Sequence, residues 1–249
     1  MSYFKLTALA CVVLGVSACS SLFEPATHKP IKTQREAWEH VKPGCTNGAD
    51  CPLVNIDTLH FPDEPALDAL VQRRLLQMTR NSPDAPPVAP TLQAYEQQFM
   101  ARADSRTSSY LQAKVREQHD GLVIVELSSY LDEGGAHGMP GRGFINWSRQ
   151  QHKALTLQDM LLPGQEGAFW QAAEEAHRGW LSGVTEQGPG FAKDWPFQKT
   201  PNIALTYGGV ILKYDVYSIA PYSMGHPEIK IAYPRLNGVL KPELFPGRG

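Results

Sequence analysis

From Asn202 to Tyr217 the chain reads NIALTYGGVILKYDVY. Apolar side chains recur at every second position, Ile203 and Leu205 on one side of Gly208-Gly209 and Val210, Leu212, Tyr214 and Val216 on the other. A period of two places successive side chains on opposite faces of an extended chain, and a glycine pair supplies the backbone conformations of a tight reversal. The stretch is therefore expected to form a two-residue β-hairpin, which no all-helical fold can contain.

Further strands are expected from Leu53 to Leu59, Ser109 to Glu117, Leu122 to Tyr130, Phe144 to Ser148 and from Glu228 to Tyr233, with Gln118–Gly121 as a connecting turn. His119 falls in that turn and is expected to be a solvated turn residue. Helical spacing begins after Asp63-Glu64-Pro65 (Leu67, Leu70, Val71, Leu75, Met78), near Thr91 (Leu92, Tyr95, Phe99, Met100) and again at Phe169, Ala172, Ala173, Ala176 and Trp180. A last helix is expected to run through Leu240. Residues 81–90 hold four prolines and break the pattern, and residues 185–201 read as a long loop rich in glycine, proline and aromatics. The fold class is thus α+β: an antiparallel sheet with helices packed on one face, leaving room for two α/β subdomains that share the core. A boundary is expected near residue 120, where a helical half gives way to a strand-rich one.

The first eighteen residues carry Lys5, an apolar run from Leu6 to Val16, and the sequence VSAC ending at Cys19. The run is too short to span a bilayer, and a small residue precedes the cysteine, so residues 1–18 read as a lipoprotein signal peptide and Cys19 as the lipidated residue. Ser20 after that cysteine fits retention at the periplasmic face of a bacterial outer membrane. Residues 19–42, with Pro25 and Pro30, are expected to be a tether. Loss of the leader leaves Cys45 and Cys51, and CTNGADC with its Asn47-Gly48 turn pair favours a disulfide in an oxidising compartment. Removal of residues 1–18 takes Lys5 alone and leaves 22 basic against 25 acidic side chains, with no dense basic stretch, so nucleic acid is not expected as a partner.

No nucleophile elbow, H-E-x-x-H, Walker loop or dinucleotide glycine motif stands between strand and helix, and no catalytic residue, metal or cofactor is expected. The sequence from Ser129 to Gly143, SYLDEGGAHGMPGRG, packs five glycines around His137. Asp132 and Glu133 beside His137 would make an acid–base pair or metal ligands. The favoured reading is architectural: His137 donates to a backbone carbonyl and fixes a turn that the glycines permit. Asp215 reads as a solvent-facing strand residue, and His177 and His226 are assigned no role.

SYLDEGGAHG, LTLQDML and the run GGVILKYDVYSIAPYSMGHPEIKIAYPRLNGVL together resemble the RsiV-like family of domain of unknown function 3298 over residues 121–242. Residues 43–120 resemble domain of unknown function 4163, which often precedes it. In the anti-sigma factor of that family such a domain binds lysozyme. The signalling role is not carried over to this chain, for which neither a cytoplasmic segment nor a transmembrane helix is expected. Taken with the leader, Cys19 and the missing catalytic motifs, the resemblance points to a non-catalytic periplasmic lipoprotein that binds a lysozyme-like protein or peptidoglycan. Its contact surface would be Gly134, Gly135, His137, Gly138, Pro221 and Tyr222, with Phe191, Trp195 and Phe197 as aromatic anchors. The alternatives are a cell-wall hydrolase or deacetylase-associated protein and an envelope scaffold.

Overall fold

The computed structural model describes residues 26–80, 87–184 and 190–248. The expected leader and Cys19 lie outside them, as do residues 185–189 of the long loop. Strand β1 (Gln34–Val41) pairs antiparallel with β2 (Leu53–His60) along its whole length, and the Cys45–Cys51 disulfide closes the loop between them. The end of the expected tether is thus an edge strand. Its sequence, QREAWEHV, shows no apolar alternation because an edge strand with few buried side chains does not need one. Trp38 is its inward anchor, donating its indole N–H to Glu96 at 2.6 Å.

Helices α1 (Pro65–Gln77) and α2 (Leu92–Arg102) follow, the second capped by Thr91, whose side chain accepts from the Ala94 N–H. They carry the chain back across the sheet, so β3 (Thr107–His119) lies parallel to β2, with Leu53 opposite Ser108. This corrects the expectation of a purely antiparallel sheet: a helical crossover returns the chain to the end from which it started. Strands β4 (Leu122–Glu133), β5 (Met139–Ser148) and β6 (Lys153–Ala154) complete a six-stranded sheet by antiparallel pairing. The turn between β3 and β4 is Asp120-Gly121, both residues at positive φ, as a twisted two-residue hairpin requires. Residue 120 therefore lies inside one hairpin, and both sequence halves share the sheet.

After α3 (Leu157–Met160), α4 (Glu166–Gly183) and the short α5 (Phe191–Asp194), a second sheet of β7 (Ile203–Thr206), β8 (Gly209–Lys213) and β9 (Glu228–Ile231) forms. Thr206 pairs with Gly209, so the hairpin turn is Tyr207-Gly208, one residue earlier than the glycine pair suggests. The expected terminal helix is replaced by two short 3₁₀ turns, Tyr233–Leu236 and Pro242–Leu244. Pro234 and Pro242 begin them, and positive φ at Gly238 separates them.

Helices do not lie on one face only. Val123, Val125 and Leu127 of β4 pack with α1 and α2, while Leu122 and Ile124 pack with the second sheet and α4, so β4 is buried on both faces along Leu122–Leu127. The order is helices, large sheet, small sheet, helix: an α+β fold with two cores separated by one sheet. Asn146 of β5 fastens the sheets together, donating from Nδ2 to the Ile203 carbonyl at 2.7 Å and accepting the Leu205 N–H at 2.8 Å. His119, the last residue of β3, does the same. Its buried ring donates from Nε2 to the Leu205 carbonyl at 2.8 Å, which replaces the solvated residue expected there by a clamp between sheets. Among the described residues, no helix is long and apolar enough to cross a membrane.

Candidate functional site: a polar cleft on the open sheet face

The small sheet covers only the end of the large sheet nearest the β3–β4 turn. Beyond Ile124 the same face turns polar. Pairing sets Asp57, Gln112, Ser128 and Arg142 side by side across four strands, with Asn55, Tyr110 and Tyr130 in the next row and Lys114, Glu126 and Phe144 in the row on the other side. Apart from Phe144, these side chains floor an open cleft of about 400 Å³, and Lys213 of β8 forms one wall. Tyr110 and Tyr130 meet edge to face with centroids 5.8 Å apart.

The charged groups at the covered end are bound to one another. Lys213 reaches Glu126 at 2.5 Å and Glu228 at 2.9 Å, while Arg116 grips Glu228 through two nitrogens at 2.7 and 2.9 Å. The Arg116 guanidinium holds the Glu228 carboxyl down to about 2. Burial pushes Glu126 up, but Lys213, Lys114 and Arg116 together outweigh it and leave its pKa below the ordinary range. Arg116 and Lys213 also stand over the Phe144 ring, 5.4 and 5.8 Å from its centroid.

At the other end the cleft meets the β4–β5 loop. Gly134 has φ +80°, and its N–H is held by Asp132 at 2.9 Å. A side chain on Gly138 would place its first carbon 2.3 Å from Cζ of Tyr130, so glycine at this position is what admits the cleft-floor tyrosine beneath the loop. His137 Nδ1 lies 3.1 Å from the Gly138 carbonyl, an acceptor only, so in the neutral ring Nδ1 carries the proton and Nε2 accepts from the Tyr217 hydroxyl at 3.0 Å. Tyr222 stacks on the imidazole at 4.0 Å and donates its own hydroxyl proton to the Gly138 carbonyl at 2.9 Å. Tyr217 holds φ 66°, uncommon outside glycine, with its ring turned to His137.

The loop and the segment between β8 and β9 thus form one aromatic brace. Gly134, His137, Gly138 and Tyr222 come together in it. Pro221, immediately before Tyr222, begins the 3₁₀ turn that presents that ring. Gly135 is exposed, and an added side chain there would meet nothing within 4 Å. Asp132 caps the loop and does not pair with the imidazole in an acid–base dyad. Asp215 accepts the Arg142 backbone N–H at 2.9 Å, tying the segment to β5 while about half of its side chain stays exposed to solvent.

The other expected anchors lie elsewhere. Phe191 is buried against Trp180, and Phe197 packs on His177 and Trp170, so both pack on α4, and Trp195 is half-buried. An aromatic-rich loop gives the same signal whether its rings point out or in, and here α4 supplies a facing apolar stripe. The residues sequence reasoning missed are Tyr110, Ser128, Tyr130 and Arg142. Their even spacing along three strands was the available signal, since polar side chains there alternate with core residues.

The fold and cleft define a class: an α+β protein of two stacked sheets whose larger sheet leaves a polar, tyrosine-lined face open. The chain belongs to the DUF3298 family. The model for this protein family of unknown function matches residues 158–234, a shorter stretch than 121–242; Tyr217 and Tyr222 fall inside it and His137 outside. The crystal structure of a DUF3298 family protein from Pseudomonas aeruginosa PAO1 is 64% identical, with 89% of this chain and 100% of that chain covered and a TM-score of 0.84. A member from Bacteroides fragilis, 16% identical over 86% of this chain and 94% of its own, superposes with a TM-score of 0.67 and shares the fold. No curated protein matches.

Proposed function

We propose that the protein is a non-catalytic lipoprotein anchored through Cys19 at the periplasmic face of the outer membrane, and that it binds peptidoglycan in the sheet-face cleft. The observation that carries this reading is the cleft itself: a preformed concavity with two tyrosines and several hydrogen-bonding side chains on rigid strands, braced at one end by the His137 loop. Tyrosine faces and fixed polar groups suit sugar rings and short peptides, and such sites form on scaffolds that move little on binding. Asp132, Glu126 and Glu228 are each held by structural partners, and both nitrogens of His137 are occupied, which favours binding over turnover. The Cys45–Cys51 disulfide suits an exported chain.

The test is retention of purified mature protein on peptidoglycan sacculi and, in parallel, on immobilised lysozyme, the partner class that the RsiV-like resemblance supplies. Retention on sacculi is expected. A folded protein that passes freely through sacculi refutes the reading, and retention on lysozyme alone replaces the polysaccharide by a protein partner.

A further inference from the structure

Among the described residues Arg142 is the one guanidinium on the cleft floor, and its surroundings differ from those of the cations near it. Lys114, Arg116 and Lys213 share the carboxylates of Glu126 and Glu228. Asp57, in the same row as Arg142, is taken by Arg35 at 2.7 Å and by the Gln112 amide at 3.1 Å. Among the described residues Arg142 makes no ion pair. Its Nη1 donates to the carbonyl of its neighbour Gly141 at 2.8 Å, and its backbone N–H is spent on Asp215. The side chain is half-buried and lines both the main cleft and a second cavity of about 200 Å³ with Asn202 and Phe144. Burial draws its pKa below the ordinary arginine value.

A planar fork held partly out of water, with the Glu126 and Asp215 carboxylates near enough to act on its charge but neither bound to it in an ion pair, keeps donors open for an anion that matches its geometry, and a carboxylate received bidentately does so. Ser128 stands directly beside it across the strand pair, and Tyr130 flanks the approach from the next row. We infer that Arg142 is a ligand-binding residue that receives a carboxylate of the bound molecule, so that the cleft selects acidic glycopeptides over neutral glycans. This rests on the proposed wall-binding reading and names which part of the wall the cleft grips.

The probe is muramyl dipeptide, which has one free carboxylate, against its methyl ester, titrated calorimetrically into the mature protein, with Arg142→Gln and Arg142→Lys as variants and thermal melts to verify folding. Wild type is expected to bind the acid at least tenfold more tightly than the ester, Arg142→Gln to bind both equally weakly, and Arg142→Lys to keep part of the preference, because it retains the charge and loses the fork. Equal binding of acid and ester by wild type, binding of neither, or an undiminished preference in folded Arg142→Gln overturns the inference. Sacculi retention reports separately: if it persists in those cases, wall binding stands and only the carboxylate contact fails. If the acid binds and sacculi do not, the contact stands without the wall.

Discussion

The two ends of one sheet face are built from the same strands and differ in what lies over them. Near the β3–β4 turn, Leu122, Ile124 and Asn146 meet the small sheet; further along, Ser128, Tyr130 and Arg142 meet solvent. The switch takes place within a few residues of β4, so propensity and pairing cannot explain it. What changes is cover. The closed end holds the sheets together, while the open end keeps polar side chains in a fixed array, which is what a preorganised binding surface requires.

The comparison breaks first at the closed end. Ile124→Ala, at a site buried on all sides, is expected to destabilise by about 2–5 kcal/mol in urea unfolding. Asn146→Ala leaves the Leu205 N–H and Ile203 carbonyl without their partner and belongs in the same range, about 2–4 kcal/mol. Ser128→Ala, at the open end of the same face, is expected to stay within about 0.5 kcal/mol. Equal losses at both ends would mean that the polar array is core and not surface.

At the junction of cleft and brace, Gly138→Ala forces its new methyl against the Tyr130 ring. A loss of about 1–3 kcal/mol is expected, with Gly138→Ala/Tyr130→Ser recovering most of it, because the clash needs both partners. No recovery in the double variant would place the role of Gly138 in its backbone.

How much of this was legible follows the same division. The core stripes of α1 and α2, the Thr91 cap, the β7–β8 alternation and the Cys45–Cys51 pairing all announce themselves locally, since each depends on residues close in sequence. Strand β1 did not, because an edge strand with mostly exposed side chains carries no apolar period. The burial of His119 and the parallel β2–β3 pairing depend on elements remote in sequence. In the site, the His137 turn was readable as a fixed loop donating to a carbonyl. Its bracing tyrosines come from a segment about eighty residues away, and Phe191 and Phe197 misled because apolar loop side chains do not declare which way they face.

A smaller effect sharpens the charge network between the two ends. Glu228 has its pKa lowered from an ordinary 4.5 to about 2, chiefly by Arg116. Since the folded value lies below the unfolded one, its contribution is present in full above 4.5 and is lost as pH falls through about 2. A fall of about 1–2 kcal/mol across that window is expected in wild type after allowance for solvent screening. It should be missing from Glu228→Gln, whose melting temperature at neutral pH is expected to be lower than that of the wild type. An unchanged acid profile in that variant would assign the acid sensitivity to other carboxylates.

A modest expected effect on stability decides the most about function. His137→Ala removes the acceptor of the Tyr217 hydroxyl and the stack on Tyr222, while Gly138 keeps its bond from Tyr222, so the loop loosens by about 1 kcal/mol without unfolding. If the loop serves to hold the end of the cleft, retention on sacculi weakens severalfold, and His137→Gln, which keeps a side-chain amide near both contacts, restores part of it. A catalytic imidazole predicts a different pattern: wall fragments released by the wild type, none by His137→Ala or His137→Gln, and melting temperatures alike in all three. The two patterns share no measurement outcome, because a brace acts through affinity and stability together, whereas a proton carrier acts on turnover alone.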